Sequence, residues 1–146
     1  MKKILFVCLG NICRSPLAEG IAKDYISQNN LDISVDSAGT SSFHIGENPC
    51  PHSIDIAKEK NIDISSLKAR QVKKSDFEEF DLIIGLDRSN IANLKIMGCK
   101  QPLLLGDFGL DGEDIPDPYF FDGFEGFGKV FDMIETGVIN ILKSIK

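Results

Sequence analysis

The sequence predicts an α/β fold in which a central parallel sheet is flanked by helices on both faces. Short apolar runs of strand length alternate with longer segments whose apolar residues recur every three or four positions, as in amphipathic helices. The first run is apolar throughout, which is typical of a strand buried on both faces. The 146 residues, 42% of them hydrophobic, suffice for one core. No repeat or long linker divides them, so we expect a single domain over residues 1–146.

A strand–helix–strand unit occupies the first part of the chain. Residues 4–7 form the first apolar run, and Ser15 and Pro16 open the helical pattern that follows. We expect the Ser15 hydroxyl to cap this helix and Pro16 to preset its first turn. Residues 33–38 alternate between apolar and polar side chains and end at Gly39, which predicts the second strand. The apolar face of the helix consists of Leu17, Ala18, Ile21, Ala22, Tyr25 and Ile26.

Two more strands and two more helices follow a loop over residues 39–51. Residues 52–60 have helical spacing, and residues 81–86 form a third apolar run. Residues 87–90 are polar and are typical of a helix start, and residues 102–105 predict a short fourth strand.

A long loop and a long helix end the chain. Residues 106–122 are rich in Gly, Asp and Pro, and a loop of this length in a compact domain usually has a function. Apolar residues three or four positions apart then predict a helix that turns one face to the core. This face contains Phe124, Phe127, Phe131, Ile134, Val138, Ile141 and Ile145.

Charge and cysteine content exclude several classes of protein. The 16 basic and 22 acidic residues give a net charge of −6, which argues against nucleic acid or an anionic membrane as the main partner. Four cysteines are too few for a disulfide scaffold, and His44 and His52 complete no zinc-ligand set, so we expect no metal and no other cofactor. The apolar run at residues 4–9 is too short for a signal peptide, and no segment reaches the roughly 20 apolar residues of a membrane span. We therefore expect a cytoplasmic protein.

The segment between the first strand and the first helix has the composition of an anion-binding loop. Backbone N–H groups at a helix N-terminus, together with the helix dipole, attract an anion. Gly10 permits close backbone approach and Asn11 tolerates a left-handed conformation. The same field stabilises a thiolate at Cys8, and the Arg14 guanidinium can hold two phosphoryl oxygens. The bare C-x5-R spacing is a weak signal, but its place at a strand–helix junction favours a nucleophilic cysteine over a buried structural thiol.

Phosphoryl transfer through a cysteine also requires a proton donor for the leaving oxygen. Asp117 lies in the long loop between Pro116 and Pro118, which stiffen the backbone around it. Alone it would be interpreted as a solvated turn residue, but beside a Cys8 nucleophile it is the best candidate for the general acid. The other carboxylates of the loop lack this rigid setting: Asp107, Asp111, Glu113 and Asp114.

These motifs together resemble the signature of the low-molecular-weight protein tyrosine phosphatases. The resemblance implies a four-stranded parallel sheet in the order 2-1-3-4 and metal-independent hydrolysis of phosphotyrosine and other aryl phosphates. It extends over essentially the whole chain. The matching segments are residues 7–16 (VCLGNICRSP), 36–40 (DSAGT), 68–71 (KARQ), 80–83 (FDLI), 87–90 (DRSN) and 117–119 (DPY).

The resemblance also implies a role for each site residue. Cys8 would be the nucleophile and form a phosphocysteine intermediate, Arg14 would bind phosphate and stabilise the transition state, and Asp117 would act as general acid and then as base. Asn11 would hold the loop in its strained shape with help from Ser37. The phosphate-binding and loop-supporting residues would be Leu9, Gly10, Asn11, Ile12, Cys13, Ser15, Ser37 and Asp87.

A deep hydrophobic slot is also implied, which would favour phosphotyrosine over the shorter phosphoserine. Residues 120–126 depart from the family's usual continuation at this slot. Cys13 matches a second loop cysteine that can form a protective disulfide with the nucleophile, the alternative being a small packed residue. The implied slot walls are Leu9, Ile12, Phe43, Tyr119 and Phe120.

Two other functions compete with a phosphatase. A thiol-dependent arsenate reductase needs two further cysteines after the third strand, where only Cys99 is present. An inactive phosphotyrosine- or anion-binding module would not need the intact Cys8, Arg14 and Asp117. The expected partner is a tyrosine-phosphorylated protein, such as a tyrosine kinase or a host protein, with a phosphoarginine protein as a further alternative. We expect the enzyme to be a monomer.

Overall fold

The computed structural model, which describes residues 2–117 and 125–145, contains a four-stranded sheet. All neighbouring strands run parallel, in the order β2-β1-β3-β4. The predicted α/β fold and its strand order are therefore confirmed. The strands are β1 (Lys2–Cys8), β2 (Ile33–Gly39), β3 (Leu82–Gly85) and β4 (Leu103–Leu104).

The helices follow the predicted order with one addition. A single turn of helix, α3, precedes β3 and was not predicted, because four residues are too few to show helical periodicity. Pro51 at the start of α2 fits the first turn, where its missing N–H costs no hydrogen bond. The helices are α1 (Arg14–Asn29), α2 (Pro51–Glu59), α3 (Asp76–Glu79), α4 (Arg88–Ile96) and α5 (Glu125–Ser144).

Helices cover both faces of the sheet. Ile4 and Phe6 of β1 pack into a core shared with α1, α2 and α5. Leu5 and Val7 point to the other face, where they form a second core with Leu94 of α4. All four strand residues are fully buried. This double burial explains why β1 is a continuous apolar run rather than an alternating one.

The carboxyl ends of three strands meet at one edge of the sheet. Cys8 is paired with Gly39 at the end of β2, and Val7 is paired with Gly85 at the end of β3. Helix α1 begins at Arg14, shortly after β1 ends. Since open α/β sheets bind ligands at the carboxyl ends of their strands, this edge is where a site is expected.

Two local predictions were wrong. Ser15 does not cap α1: the N-cap is Cys13, no side chain caps the helix, and the Ser15 hydroxyl instead contacts the sulfur of Cys8. The fourth strand is only two residues long, because Leu105 already begins a 3-10 turn that ends at Asp107.

The predicted apolar face of α5 is confirmed where the structure describes it. Phe127, Phe131, Ile134, Val138 and Ile141 are buried in the core. Phe124 lies outside the described residues. Within residues 2–117 and 125–145, no helix combines the length and the apolarity that a membrane crossing requires.

Candidate active site

The loop between β1 and α1 is tied to the neighbouring segments by main-chain hydrogen bonds. Thr40 N donates to Cys8 O at 3.0 Å, and Ser41 N donates to Leu9 O at 2.9 Å. Gly39 lies so close that a Cβ atom there would be 2.7 Å from the carbonyl oxygen of Leu9. The end of β2 therefore supports one side of the loop, and only glycine fits at the closest point.

Asn11 fixes the shape of the loop from within. Its backbone is left-handed, with a φ of 57°, and its side chain is almost completely buried. The side-chain oxygen accepts from Arg70 N at 3.0 Å, and Nδ2 donates to Ser15 Oγ at 2.8 Å and to Ser37 Oγ at 2.9 Å. The Asn11 side-chain amide thus makes three hydrogen bonds. These bonds hold the left-handed backbone, a conformation that asparagine tolerates better than most residues.

The thiol of Cys8 lies at the floor of the loop and is 3% exposed. Its sulfur is 3.0 Å from Ser15 Oγ and accepts from Asn11 N at 3.3 Å. Because Ser15 Oγ already accepts a hydrogen bond from the Asn11 amide, its own hydrogen can point at the sulfur. Two donors therefore converge on Cys8, which is the arrangement that stabilises a thiolate.

Arg14 is buried at the other end of the loop. Its Nη1 donates to Asp87 Oδ2 at 2.6 Å and to the carbonyl oxygen of Ile115 at 2.9 Å. Burial acts to lower the pKa of Arg14, but the negative charges of Cys8, Asp87 and Asp117 outweigh burial and raise it above the usual value. The guanidinium therefore stays positively charged, and the two hydrogen bonds of Nη1 fix its orientation.

Asp87 connects this guanidinium to helix α4. Its Oδ1 accepts from Asn90 N at 2.8 Å, and the Asn90 side chain accepts from Asp87 N at 3.1 Å, so the two residues form a capping box. The other oxygen of the same carboxylate binds Arg14. One side chain thus starts α4 and orients Arg14, which explains the Asp at the end of the third strand.

Asp117 lies over the same loop. The long segment reaches the site through a hydrogen bond from Ile115 N to Leu86 O, directly after β3. The charge of Asp117 acts on Arg14 and on Cys13. Asp117 helps to enclose a cavity of about 190 Å³ together with Cys8, Leu9, Gly10, Ile12, Cys13, Arg14, Ser41, Phe43 and His44.

The other carboxylates of the long loop do not line this cavity. Asp114 instead accepts from Arg88 Nη1 at 3.0 Å. Among the predicted slot residues, Leu9 and Phe43 lie at the rim and are 50% and 83% exposed. Tyr119 and Phe120 fall outside the described residues.

Three residues at the site were not predicted as functional. His44 lines the cavity beside Gly10, and Arg70 N holds Asn11. Glu19 is buried and accepts from Ser37 Oγ at 2.6 Å, which continues the network from Asn11 into α1. In the sequence, Glu19 is marked only as a single acidic residue beside the apolar face of that helix, which is too little to predict a role.

A second and larger cavity, of about 860 Å³, lies at the amino end of β3, between α3 and the end of α4. Its lining includes Leu82, Met97 and Cys99 and no residue of the β1–α1 loop. Within the described ranges, no group of three or more His, Cys, Asp or Glu side chains is arranged to hold a metal ion.

Comparisons with known proteins identify the chain's relatives. A family profile described as "Low molecular weight phosphotyrosine protein phosphatase" matches residues 3–146. The Drosophila melanogaster protein "Low molecular weight phosphotyrosine protein phosphatase 1" is 40% identical over 150 residues, covering 98% of this chain and 96% of that protein. The Bacillus subtilis "Low molecular weight protein-tyrosine-phosphatase YfkJ" is 40% identical over 154 residues, covering 100% and 97%.

The fold gives the same result. The crystal structure of YfkJ from Bacillus subtilis superimposes with a TM-score of 0.90 at 39% identity and covers 99% of this chain and 94% of that chain. Sequence similarity and three-dimensional similarity thus extend over the same, nearly complete, length. The chain belongs to the low molecular weight phosphotyrosine protein phosphatase family.

Proposed function

We propose that this phosphatase hydrolyses phosphotyrosine monoesters through a phosphocysteine formed on Cys8, within one catalytic domain that spans residues 1–146. One observation carries the proposal: Cys8, Arg14 and Asp117 line the same cavity of about 190 Å³. That volume admits a phosphoryl group and part of an aromatic ring.

In the first step, the Cys8 thiolate attacks phosphorus and the bond from phosphorus to the tyrosine oxygen breaks. Asp117 gives its proton to that oxygen, so the tyrosine leaves as a neutral phenol. Arg14 and the N–H groups of the loop hold the three non-bridging oxygens while charge builds on them. The contacts from Ser15 and Asn11 to the sulfur, at 3.0 and 3.3 Å, place two hydrogen-bond donors beside the attacking atom.

In the second step, water attacks the phosphocysteine. The Asp117 carboxylate takes a proton from this water, the sulfur–phosphorus bond breaks, and inorganic phosphate and the Cys8 thiolate are released. The Ser15 hydroxyl stabilises the departing thiolate. Cys8, Arg14 and Asp117 fill the roles of nucleophile, electrophilic clamp and acid–base group, so we propose that no metal or other cofactor takes part.

The substrate is a tyrosine-phosphorylated protein on this proposal. Leu9 and Phe43 at the rim would contact the phenol ring, and Tyr119 and Phe120 stay predicted walls of the slot. An aryl phosphate reaches a sulfur at the floor of such a cavity, whereas the shorter phosphoserine does not. A protein phosphoarginine, in which phosphorus is bonded to nitrogen, would be the substrate if it turns over faster than phosphotyrosine in a peptide of the same sequence.

The test uses Cys8→Ser. This variant is expected to lose hydrolysis of p-nitrophenyl phosphate and of a phosphotyrosine peptide, because serine is not ionised, while it still binds vanadate. Cys99→Ser, at the other cavity, is the matched control and should retain wild-type turnover. Retained turnover in Cys8→Ser would refute the nucleophile, and no turnover in the wild type would point to an inactive binding module.

The arsenate reductase alternative is not favoured. The relatives are named as phosphatases, and Cys99 packs in the core on the opposite face of the sheet from Cys8. A cytoplasmic location and a monomeric state stay part of the proposal. Size-exclusion chromatography with light scattering tests the latter, for which a mass near 16.1 kDa is expected.

A further inference from the structure

Three of the four cysteines lie together around the β1–α1 loop. Cys8 and Cys50 are buried in the core beneath α1 and α2, and Cys13 packs against the same core. Cys50 acts on the Cys13 thiol and raises its pKa, and Cys13 shares the lining of the small cavity with Cys8. Cys13 therefore stands between the nucleophile and a third thiol to which the phosphatase reaction gives no role.

Two hydrogen bonds hold the start of α2 against this loop. Cys50 N donates to the carbonyl oxygen of Ile12 at 2.7 Å, and Ser53 Oγ donates to the carbonyl oxygen of Cys13 at 3.0 Å. Cys50 is the N-cap of α2, so its position is fixed by a helix that packs on the core. The start of α2, including Cys50, is thus fixed next to Cys13.

The hydrogen bonds of Ser53 indicate which of the two thiols donates and which accepts. The single hydrogen of Ser53 Oγ is used on Cys13 O, so the thiol of Cys50, 3.1 Å away, donates to Ser53. The Cys50 sulfur is then the acceptor for the Cys13 thiol. This hydrogen bond, followed by burial and the charges of Cys8 and Asp117, raises the pKa of Cys13. Cys13 is therefore neutral at rest and does not compete with Cys8 for the phosphoryl group.

We propose that Cys50 completes a thiol relay with Cys8 and Cys13, which moves a peroxide-derived disulfide away from the nucleophile. The relay rests on the proposed function, because it begins at a reactive Cys8 thiolate. Hydrogen peroxide oxidises that thiolate to a sulfenic acid and releases hydroxide. The Cys13 sulfur then attacks Cys8 Sγ, the sulfur–oxygen bond breaks, and water leaves with the Cys13 proton.

The next step is an exchange without net oxidation. The Cys50 thiol gives up its proton to solvent as its sulfur attacks Cys13 Sγ, the Cys8–Cys13 bond breaks, and Cys8 leaves as a thiolate. Attack on Cys13 is favoured by position, since Cys13 is the sulfur that Cys50 contacts. It is also favoured by the leaving group, because the better-stabilised thiolate leaves faster and Cys8 has two hydrogen-bond donors. The product has a Cys13–Cys50 disulfide and a free nucleophile.

Disulfide mapping tests the relay directly. The full-length enzyme is treated with hydrogen peroxide, alkylated with N-ethylmaleimide at a series of times, digested and analysed by mass spectrometry. The wild type should pass from a Cys8–Cys13 to a Cys13–Cys50 disulfide, with Cys8 alkylated at late times. Turnover of p-nitrophenyl phosphate should be lost and then regained without added reductant.

Cys50→Ser should stop at the Cys8–Cys13 disulfide and stay inactive until dithiothreitol is added. Cys99→Ser is the matched control and should follow the wild type. A wild type that ends at Cys8–Cys13, or at an over-oxidised Cys8, with Cys50 alkylated would overturn the relay, and the wild-type map decides this even if Cys50→Ser folds poorly. Failure of the proposed function is a separate result, namely turnover by the reduced Cys8→Ser enzyme.

Discussion

Arg14 is anchored through Nη1, which contacts both Asp87 and the carbonyl oxygen of Ile115. The remaining guanidinium nitrogens are therefore available to the phosphoryl group while the side chain stays fixed. A lysine ammonium has no second, separately directed nitrogen, so it can keep the anchor or bind the substrate but not both. The planar fork, rather than positive charge alone, is what this position requires.

Arg14→Lys should accordingly lower kcat/KM for p-nitrophenyl phosphate by about 100-fold or more, the effect typical of losing an electrostatic contact to the transition state. Inhibition by inorganic phosphate should weaken in the same variant. Arg88→Lys is the control, because Arg88 is exposed and pairs with Asp114 away from the cavity. Equal activity of Arg14→Lys and Arg88→Lys would contradict the role given to the fork.

Asp117 should matter most when the leaving group needs a proton. Asp117→Asn is expected to slow phenyl phosphate hydrolysis by about 100-fold, within the usual range for general acids, and to slow dinitrophenyl phosphate hydrolysis much less. Steady-state rates over a series of aryl phosphates measure this dependence. Asp111→Asn is the control, since Asp111 is an exposed carboxylate of the same loop whose left-handed backbone suits asparagine. An equal loss of rate for all the aryl phosphates would contradict the role of Asp117 as general acid.

At the scale of elements, the β1–α1 loop is held by segments far away in the sequence. Asn11 links it to Ser37 at the end of β2 and to the backbone of Arg70, which is 59 residues away. The left-handed backbone of Asn11 is therefore maintained by tertiary hydrogen bonds and not by local preference alone. Asn30, the C-cap of α1, has nearly the same φ, 51°, but is exposed.

This pair of asparagines separates backbone preference from the hydrogen-bond network. Asn30→Ala should destabilise the protein by about 1 kcal/mol, the cost of a left-handed backbone, and leave turnover unchanged. Asn11→Ala should cost a further 1–3 kcal/mol or so for unpaired buried groups and should also reduce turnover strongly. Urea denaturation and p-nitrophenyl phosphate kinetics measure the two effects. Full activity of Asn11→Ala would show that the loop keeps its shape without the network.

The sequence predicts the elements better than it predicts their contacts. Apolar periodicity correctly located all four strands and the four longer helices, because burial on one or both faces leaves a pattern in the chain. The single turn of α3 leaves no such pattern. Ser15 was misassigned as a cap because its hydroxyl serves the Cys8 sulfur, a tertiary contact that overrides the local preference.

In the candidate site too, the sequence indicates the residues better than it indicates their contacts. The sequence placed Cys8, Arg14 and Asp117 in settings suited to one site, and the structure brings all three to the same cavity. The anchors of Arg14 were harder to foresee, since they lie 73 and 101 residues away in the chain. Glu19 and Arg70 support the loop through contacts that only the folded chain creates. The sequence therefore predicts candidates for the reacting residues, whereas the residues that support the loop become visible only in the structure.

At the scale of the whole molecule, the β1–α1 loop connects several parts of the fold. It is bonded to the end of β2 through Thr40, to the segment after β3 through Asp87 and to the long loop through Ile115. An oxyanion that fills the loop and binds Arg14 should therefore stabilise the folded chain against global unfolding and not only order the loop. The net charge of −6 does not oppose this, because the loop supplies a local positive field.

Vanadate at about 100 times its Kd should stabilise the wild type by about 2.7 kcal/mol. For a chain of this size, that corresponds to a rise in Tm of roughly 5–10 °C, measurable by differential scanning fluorimetry. Cys8→Ser should keep most of this shift, since its loop and Arg14 are intact. Arg14→Ala should lose it, because the anion then has no guanidinium to bind. An equal shift in Arg14→Ala would place the anion elsewhere on the protein and would separate oxyanion binding from the loop.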